Sequence, residues 1–334
     1  MDFGVVFAPL PGTPVGSSRP FSDWMRAAER VFTTIADVGF RFVAFTHSYQ
    51  YGGMQPLVTM ARLTPAAGTL RMATQVLLLP LLNAADVAYN VVTLDHISEG
   101  RLDLGIGIAY HLKELEVGSI SRQDRVPKFE ESLELMRKLS TGEEVHHQGR
   151  YFNMDGIRMG LTPYQKPHPP IWMAAHSHGA AARAGRIGDG IVIGPQVEHN
   201  DVKALVQTFR GEWQAVHTEP PTKMGAWRPI LIGADPKDAL ERGRKSGLLT
   251  FRRYYEGAMQ ERSTVHLRLT LGEDAPEWAI LGNYRDCREG LTRCRDELGL
   301  THVTCQFHNL PDELSARLEY LQGFGEEVIQ KCTQ

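Results

Sequence analysis

Short apolar runs alternate with longer stretches of helical period along almost the whole chain. Phe3 to Pro9, Phe40 to Thr46, Leu70 to Leu79, Leu102 to Ile108, Pro170 to Ala175, Gly190 to Gly194, Pro229 to Gly233 and His302 to Phe307 are each nearly continuous in apolar residues, which predicts eight strands. Between them the spacing changes to three and four. Val87, Val91, Leu94 and Ile97 share one helical face, as do Phe129, Leu133 and Met136, and Leu205, Phe209 and Trp213. A strand that is apolar on both faces is covered by helices on one side and by a packed interior on the other. Eight strand-then-helix units therefore predict an α/β protein of the (β/α)8 TIM-barrel class. The competing architecture is a doubly wound open sheet, which places a glycine-rich turn after its first strand. Here that turn reads Ala8-Pro9-Leu10-Pro11-Gly12. Gly39, Gly100 and Gly299 stand where helices should stop.

Two insertions interrupt the count in what reads as one domain over residues 1–334. Residues 142–168, with Gly149, Tyr151, Phe152 and Gly156, read as a hairpin excursion before the fifth strand. Residues 246–279 are too long for a plain connection and read as a functional lid or as a segment with structure of its own. With 36 Lys and Arg against 39 Asp and Glu, the net charge is −3, and no basic run offers itself to nucleic acid or an anionic membrane. Apolar runs such as Val76 to Leu82 are far short of a membrane span, and Met1-Asp2-Phe3 enters a strand with no leader pattern, so the expected location is the cytoplasm. Cys287, Cys294, Cys305 and Cys332 lack metal or redox spacing. The first two share a helical face roughly 10 Å apart, too far for a disulfide.

In a parallel barrel, chemistry is carried at the carboxyl ends of the strands. Histidines recur at three of those ends: His47, His111 and His176. The stretch Ala73-Thr74-Gln75-Val76-Leu77-Leu78-Leu79-Pro80 is followed by Leu94-Asp95-His96-Ile97-Ser98-Glu99-Gly100-Arg101-Leu102-Asp103-Leu104-Gly105-Ile106-Gly107. A second block runs Pro163-Tyr164-Gln165-Lys166-Pro167-His168-Pro169-Pro170-Ile171-Trp172, then Ala181-Ala182-Arg183-Ala184-Gly185-Arg186-Ile187-Gly188-Asp189-Gly190. In order and spacing the two blocks resemble the bacterial luciferase-like family of flavin-dependent monooxygenases and their deazaflavin-dependent relatives.

The resemblance implies a flavin-dependent monooxygenase that uses reduced FMN and O2, through a flavin C4a-peroxide, to oxidise a small organic substrate. It implies a separate NAD(P)H flavin reductase, because no nicotinamide fingerprint is present, and a homodimer paired through early helices. Phe7, Gln75, Val76 and Gly107 are expected to hold the ring, with a non-prolyl cis peptide at Gln75-Val76. Tyr110, His111, His176, Ser177, His178 and Gly179 are expected near the ribityl phosphate. The backbone after the fifth strand is the cradle there, since free N–H groups at a helix start attract anions. Ile108 stands where luciferase has an arginine, and His176 where it has a glutamate, which keeps 8-hydroxy-5-deazaflavin open as the alternative cofactor, with hydride transfer as its reaction. His47 is the expected catalytic proton donor or acceptor. Trp172, Arg252, Arg253 and Tyr254 are expected on the substrate side, and Phe7, Leu77, Leu79 and Trp172 as its apolar wall. Asp95 and Arg101 are expected to pair structurally. From the residues alone, a metal-dependent barrel hydrolase using His176 and His178 with His47 or His111 stays open as a further alternative.

Overall fold

The computed structural model describes residues 1–7, 20–49, 54–195, 197–246 and 277–333. Its strands are β1 (Asp2–Val6), β2 (Phe42–Phe45), β3 (Arg71–Thr74), β4 (Leu77–Leu78), β5 (Leu102–Gly107), β6 (Val145–Gln148), β7 (Asn153–Ile157), β8 (Ile171–Ala175), β9 (Gly190–Ile193), β10 (Met224–Ile232), β11 (Ile280–Gly282) and β12 (His302–Phe307). The described helices are α1 (Phe21–Asp37), α2 (Pro56–Leu63), α3 (Ala84–Ile97), α4 (Leu112–Val117), α5 (Arg125–Ser140), α6 (His178–Ile187), α7 (His199–Gln214), α8 (Pro236–Ser246), α9 (Tyr284–Asp296) and α10 (Leu314–Phe324). Strands β1, β2, β3, β5, β8, β9, β10 and β12 pair in parallel, and the β10–β9 contact closes the ring. This is the (β/α)8 barrel that the apolar runs predict.

Side-chain alternation sorts each strand between helices and lumen. Phe3, Val5, Val303 and Cys305 pack outward with helix residues such as Phe32, Leu291 and Phe324 in one large core, while Gly4 and Thr304 stand side by side facing inward. Cys287 and Cys294 are both buried on α9, and all four cysteines are free thiols.

Three boundaries differ from the sequence expectation. The third strand is split in two around Gln75 and Val76. The seventh begins at Met224 and not at Pro229, because its first residues pair with β9 and β12. Arg228, only 1% exposed, breaks that run with a charge and hides it from a search for apolar residues. A three-residue strand, β11, pairs in parallel with the last residues of β10 just after the long second insertion. Residues 142–168 do contain the expected antiparallel hairpin, β6 with β7. Glu131 on α5 fastens it by accepting the backbone N–H groups of Arg150, Tyr151 and Phe152. Gly39, Gly100 and Gly299 take φ of 96°, 78° and 67°, as their helix-stopping positions require.

The expected Asp95–Arg101 pair is not formed. Asp95, fully buried, accepts the backbone N–H and the side-chain Nε2 of Gln165, both at 2.8 Å, while Arg101 donates to the carbonyl of Leu70. Arg71 instead pairs with Asp103 at 2.5 Å and donates to Gly100, Leu102 and Gln165. The two sequence blocks are thus one hydrogen-bonded unit at the amino end of the barrel, beneath the mouth.

Candidate active site

The upper lumen is lined mainly by apolar side chains. Val6, Val76, Ala174, Val192 and Trp227 pack together above Trp172. The bulge between β3 and β4 supplies Val76, and two glycines make room for it. A Cβ on Gly105 would lie 2.0 Å from the Thr74 carbonyl oxygen, and one on Gly107 would lie 2.7 Å from Val76 Cγ2. Thr74 locks the bulge further, donating from its hydroxyl to the Gly105 carbonyl and accepting the Gly105 N–H. The Gln75–Val76 peptide is cis, as the resemblance implies. Gln75 reaches across the lumen to accept the Thr304 hydroxyl at 2.8 Å. Gly107 therefore shapes this lumen surface at one remove, by seating Val76.

Several expected positions fall elsewhere. Phe7 has the parity of Phe3 and Val5, so it stacks on Phe45 and packs edge-on against Trp24 and Phe32 beside α1, away from the lumen. Val6 occupies the lumen in its place. Leu77 and Leu79 point outward into the main core for the same reason. Trp172 does face inward, but at the lower end, with Nε1 donating to Asp103 at 3.4 Å and its ring against His302. It forms the floor and not the substrate wall. Arg252, Arg253 and Tyr254 lie outside the described residues.

His47 follows β2 at the mouth and is 8% exposed. The Leu78 backbone N–H donates to its Nδ1 at 3.2 Å, and burial lowers its pKa to about 4. The ring is therefore neutral at pH 7, and with Nδ1 accepting, its proton sits on Nε2. A residue that sequence reading passed over holds this loop. Glu114, the third residue of α4 and only 2% exposed, accepts the Ser48 hydroxyl at 2.8 Å and the Tyr49 backbone N–H. Burial raises its pKa against those two hydrogen bonds. Tyr49 in turn places its ring 4.9 Å from that of His47. Its only signal in the sequence was an acid on a short helix.

Tyr110 and His111 lie on the loop after β5 with their rings 4.5 Å apart, and buried His111 is lowered to about 4. Next to them is a second residue missed from sequence. Arg125 opens α5 and donates Nη1 to the Ala109 carbonyl at 3.1 Å. Burial, then the nearby guanidiniums of Arg122 and Arg183, lower its proton affinity. Positive charge thus stands at the β5 mouth although Ile108 is apolar.

His176 ends β8, and its ring lies where a Cβ on Gly194 would be, 2.0 Å from Nε2. Burial lowers this imidazole to about 4 as well. Ser177 caps α6, accepting the Ala180 N–H at 3.3 Å. A Cβ on Gly179 would meet nothing within 4 Å, so the first turn of α6 opens onto free space. His178 turns to Thr208, with Nδ1 and the hydroxyl 2.7 Å apart. It does not join His47 and His111, and no three metal-binding side chains gather among the described residues. An apolar bed, a helix start with room before it and a cation at the neighbouring loop fit a planar ring with an anionic tail.

A model of the luciferase-like monooxygenase family matches residues 1–299. The F420-dependent hydroxymycolic acid dehydrogenase of Mycobacterium tuberculosis is 29% identical over 202 residues, 60% of this chain and 53% of that protein. The matches span between 33% and 75% of the length of such curated relatives. Monooxygenase RslO1 of Streptomyces bottropensis superposes with a TM-score of 0.81 at 23% identity over 99% of both chains. The oxygenating component of 3,6-diketocamphane monooxygenase of Pseudomonas putida, solved with FMN, gives 0.79 at 17% identity over 99% of this chain and 98% of that one. With the barrel, the seated bulge and a family match over most of its length, this chain belongs to the luciferase-like monooxygenase family of oxidoreductases.

Proposed function

We propose that the protein is a flavin-dependent monooxygenase that uses reduced FMN and O2 to oxidise a small organic substrate, fed by a separate NAD(P)H flavin reductase. The observation that carries the reading is a neutral His47, fixed with its proton on Nε2 by the Leu78 amide, two residues along the chain from Val76 of the apolar bed that Val6, Ala174, Val192 and Trp227 complete. A bound reduced flavin supplies the electrons that activate oxygen. The residues of the chain supply the rest. The apolar bed excludes water, which strengthens every hydrogen bond made inside it. The α6 backbone from His178 and Gly179 holds the phosphate, and Arg125 adds charge from the β5 side. His47 would donate from Nε2 to a substrate oxygen, which suits an acceptor such as a carbonyl.

A deazaflavin-dependent hydride-transfer enzyme is the second reading. It is favoured by the apolar Ile108 at the β5 end and by the F420-dependent relative. Anaerobic titration with reduced FMN and with reduced deazaflavin, followed by mixing with O2 and candidate aldehydes, ketones and sulfonates, separates the two. The first reading requires FMN binding and substrate-dependent oxygen uptake. Tight deazaflavin binding with no oxygen uptake replaces it by the second, and binding of neither ring removes both.

A further inference from the structure

One polar atom in the lumen has no partner. Inward-facing residues of β12 follow in steps of two: His302, Thr304 and Gln306, with Thr304 fixed by its bond to Gln75. Gln306 comes one step beyond the Val5–Cys305 pair, level with Val6, and beside Pro229 of β10. Its Oε1 is buried and accepts no hydrogen bond. An amide oxygen removed from water with nothing to replace the lost hydrogen bonds is costly, so the fold carries it at the expense of stability.

The missing donor belongs to whatever fills the lumen. In the closed ring of eight, β12 stands opposite β5, the strand on which the Val76 bulge rests. A ring held at that bulge would have β12 across the lumen from it. We propose that Gln306 is a specificity-determining residue that accepts a hydrogen bond from the substrate, so that the preferred substrates are small apolar molecules bearing a hydroxyl or amide N–H. The proposal rests on the ring site proposed above.

Two measurements test it. In the ligand-free protein, Gln306→Leu and the straight-chain Gln306→Met remove the orphaned acceptor at similar volume, and the melting temperature rises by about 2 °C. No rise with either variant overturns the claim that the acceptor is unsatisfied, whether or not a flavin binds. With the FMN-loaded protein, ligand-observed NMR compares cyclohexanol with methoxycyclohexane and benzamide with N,N-dimethylbenzamide. The native protein prefers the donor-bearing member of each pair by about tenfold, and both variants lose that preference. Equal affinities in the native protein, or binding of no probe, overturn the proposal while leaving flavin binding intact. Titration with N3-methyl-FMN covers the remaining source of a donor. If the native protein discriminates against it and Gln306→Leu does not, the donor is the ring itself, and the substrate assignment fails.

Discussion

His47 and Glu114 show how a reactive group and its support are built from different elements. The imidazole is held from behind by the Leu78 amide of β4 and from its own loop by Glu114 of α4, through Ser48 and Tyr49. His47→Ala should lower turnover by about a hundredfold while leaving flavin affinity within about twofold, because in the proposed reaction the side chain acts on the substrate oxygen and not on the phosphate. Rapid-mixing kinetics beside a binding titration measure both. Unchanged turnover would make His47 a wall residue. Nitrogen-15 NMR of the imidazole should also show Nε2 protonated and the ring neutral down to pH 5, since burial holds its pKa at about 4. Glu114→Ala leaves the Ser48 hydroxyl and the Tyr49 amide without their acceptor at a buried position. It should cost about 2 kcal/mol in urea unfolding and slow turnover by displacing His47. Glu114→Gln, which keeps an acceptor oxygen, should recover most of both losses.

The barrel strands were legible in the sequence because both their faces are buried, so apolar residues run on without the alternation that marks a half-exposed sheet. Which face each residue takes was not legible from apolarity alone. Phe7, Leu77 and Leu79 are as apolar as Val6 and Val76, and only the register places the first three among the helices and the other two in the lumen. Arg228 hid the start of β10, and Glu114 and Arg125 were missed because they stand on helices beyond the strand ends, where the chain turns back toward the mouth. The glycines carry a testable consequence at this scale. Gly105 faces the Thr74 carbonyl, a backbone atom that cannot swing aside, so Gly105→Ala should flatten the bulge and abolish flavin binding, with a loss of stability as well. Gly194→Ala meets first the ring of His176, a side chain and not backbone. The barrel should stay folded, with flavin affinity reduced by about tenfold as His176 is pushed toward the start of α6, where the phosphate is proposed to sit. Circular dichroism with flavin titration distinguishes the outcomes, and Gly194→Ala with native affinity would place His176 outside the binding surface.

Across the whole molecule, the imidazoles at the barrel mouth make stability depend on pH. His47, His111, His176 and His308 are each lowered by burial from 6.5 to about 4. Above pH 6.5 these rings are neutral in both the folded and the unfolded chain, so they contribute no pH dependence. Between 6.5 and 4 the unfolded chain binds protons that the folded one refuses, and stability falls with falling pH. For His47 and His111, 8% and 3% exposed, the loss between pH 6.5 and 5 is about 2 kcal/mol each, at about 1.4 kcal/mol per pH unit per proton. Glu114 works in the opposite sense, since its raised carboxyl pKa lets the folded chain take up a proton first as the pH falls. Carboxylates held below their usual range, such as Glu131 in the hairpin clasp, lose their stabilising effect only at still lower pH. The histidines therefore dominate the window, and the urea midpoint should be level from pH 8 to 7 and drop steeply from 6.5 to 5. His111→Phe should make that slope shallower by close to one proton, whatever it costs in stability at pH 8. A midpoint independent of pH down to 5 would mean that these rings take up protons in the folded chain, and with them charge at the mouth of the barrel. In that case His47 could no longer be the neutral donor on which the monooxygenase reading depends.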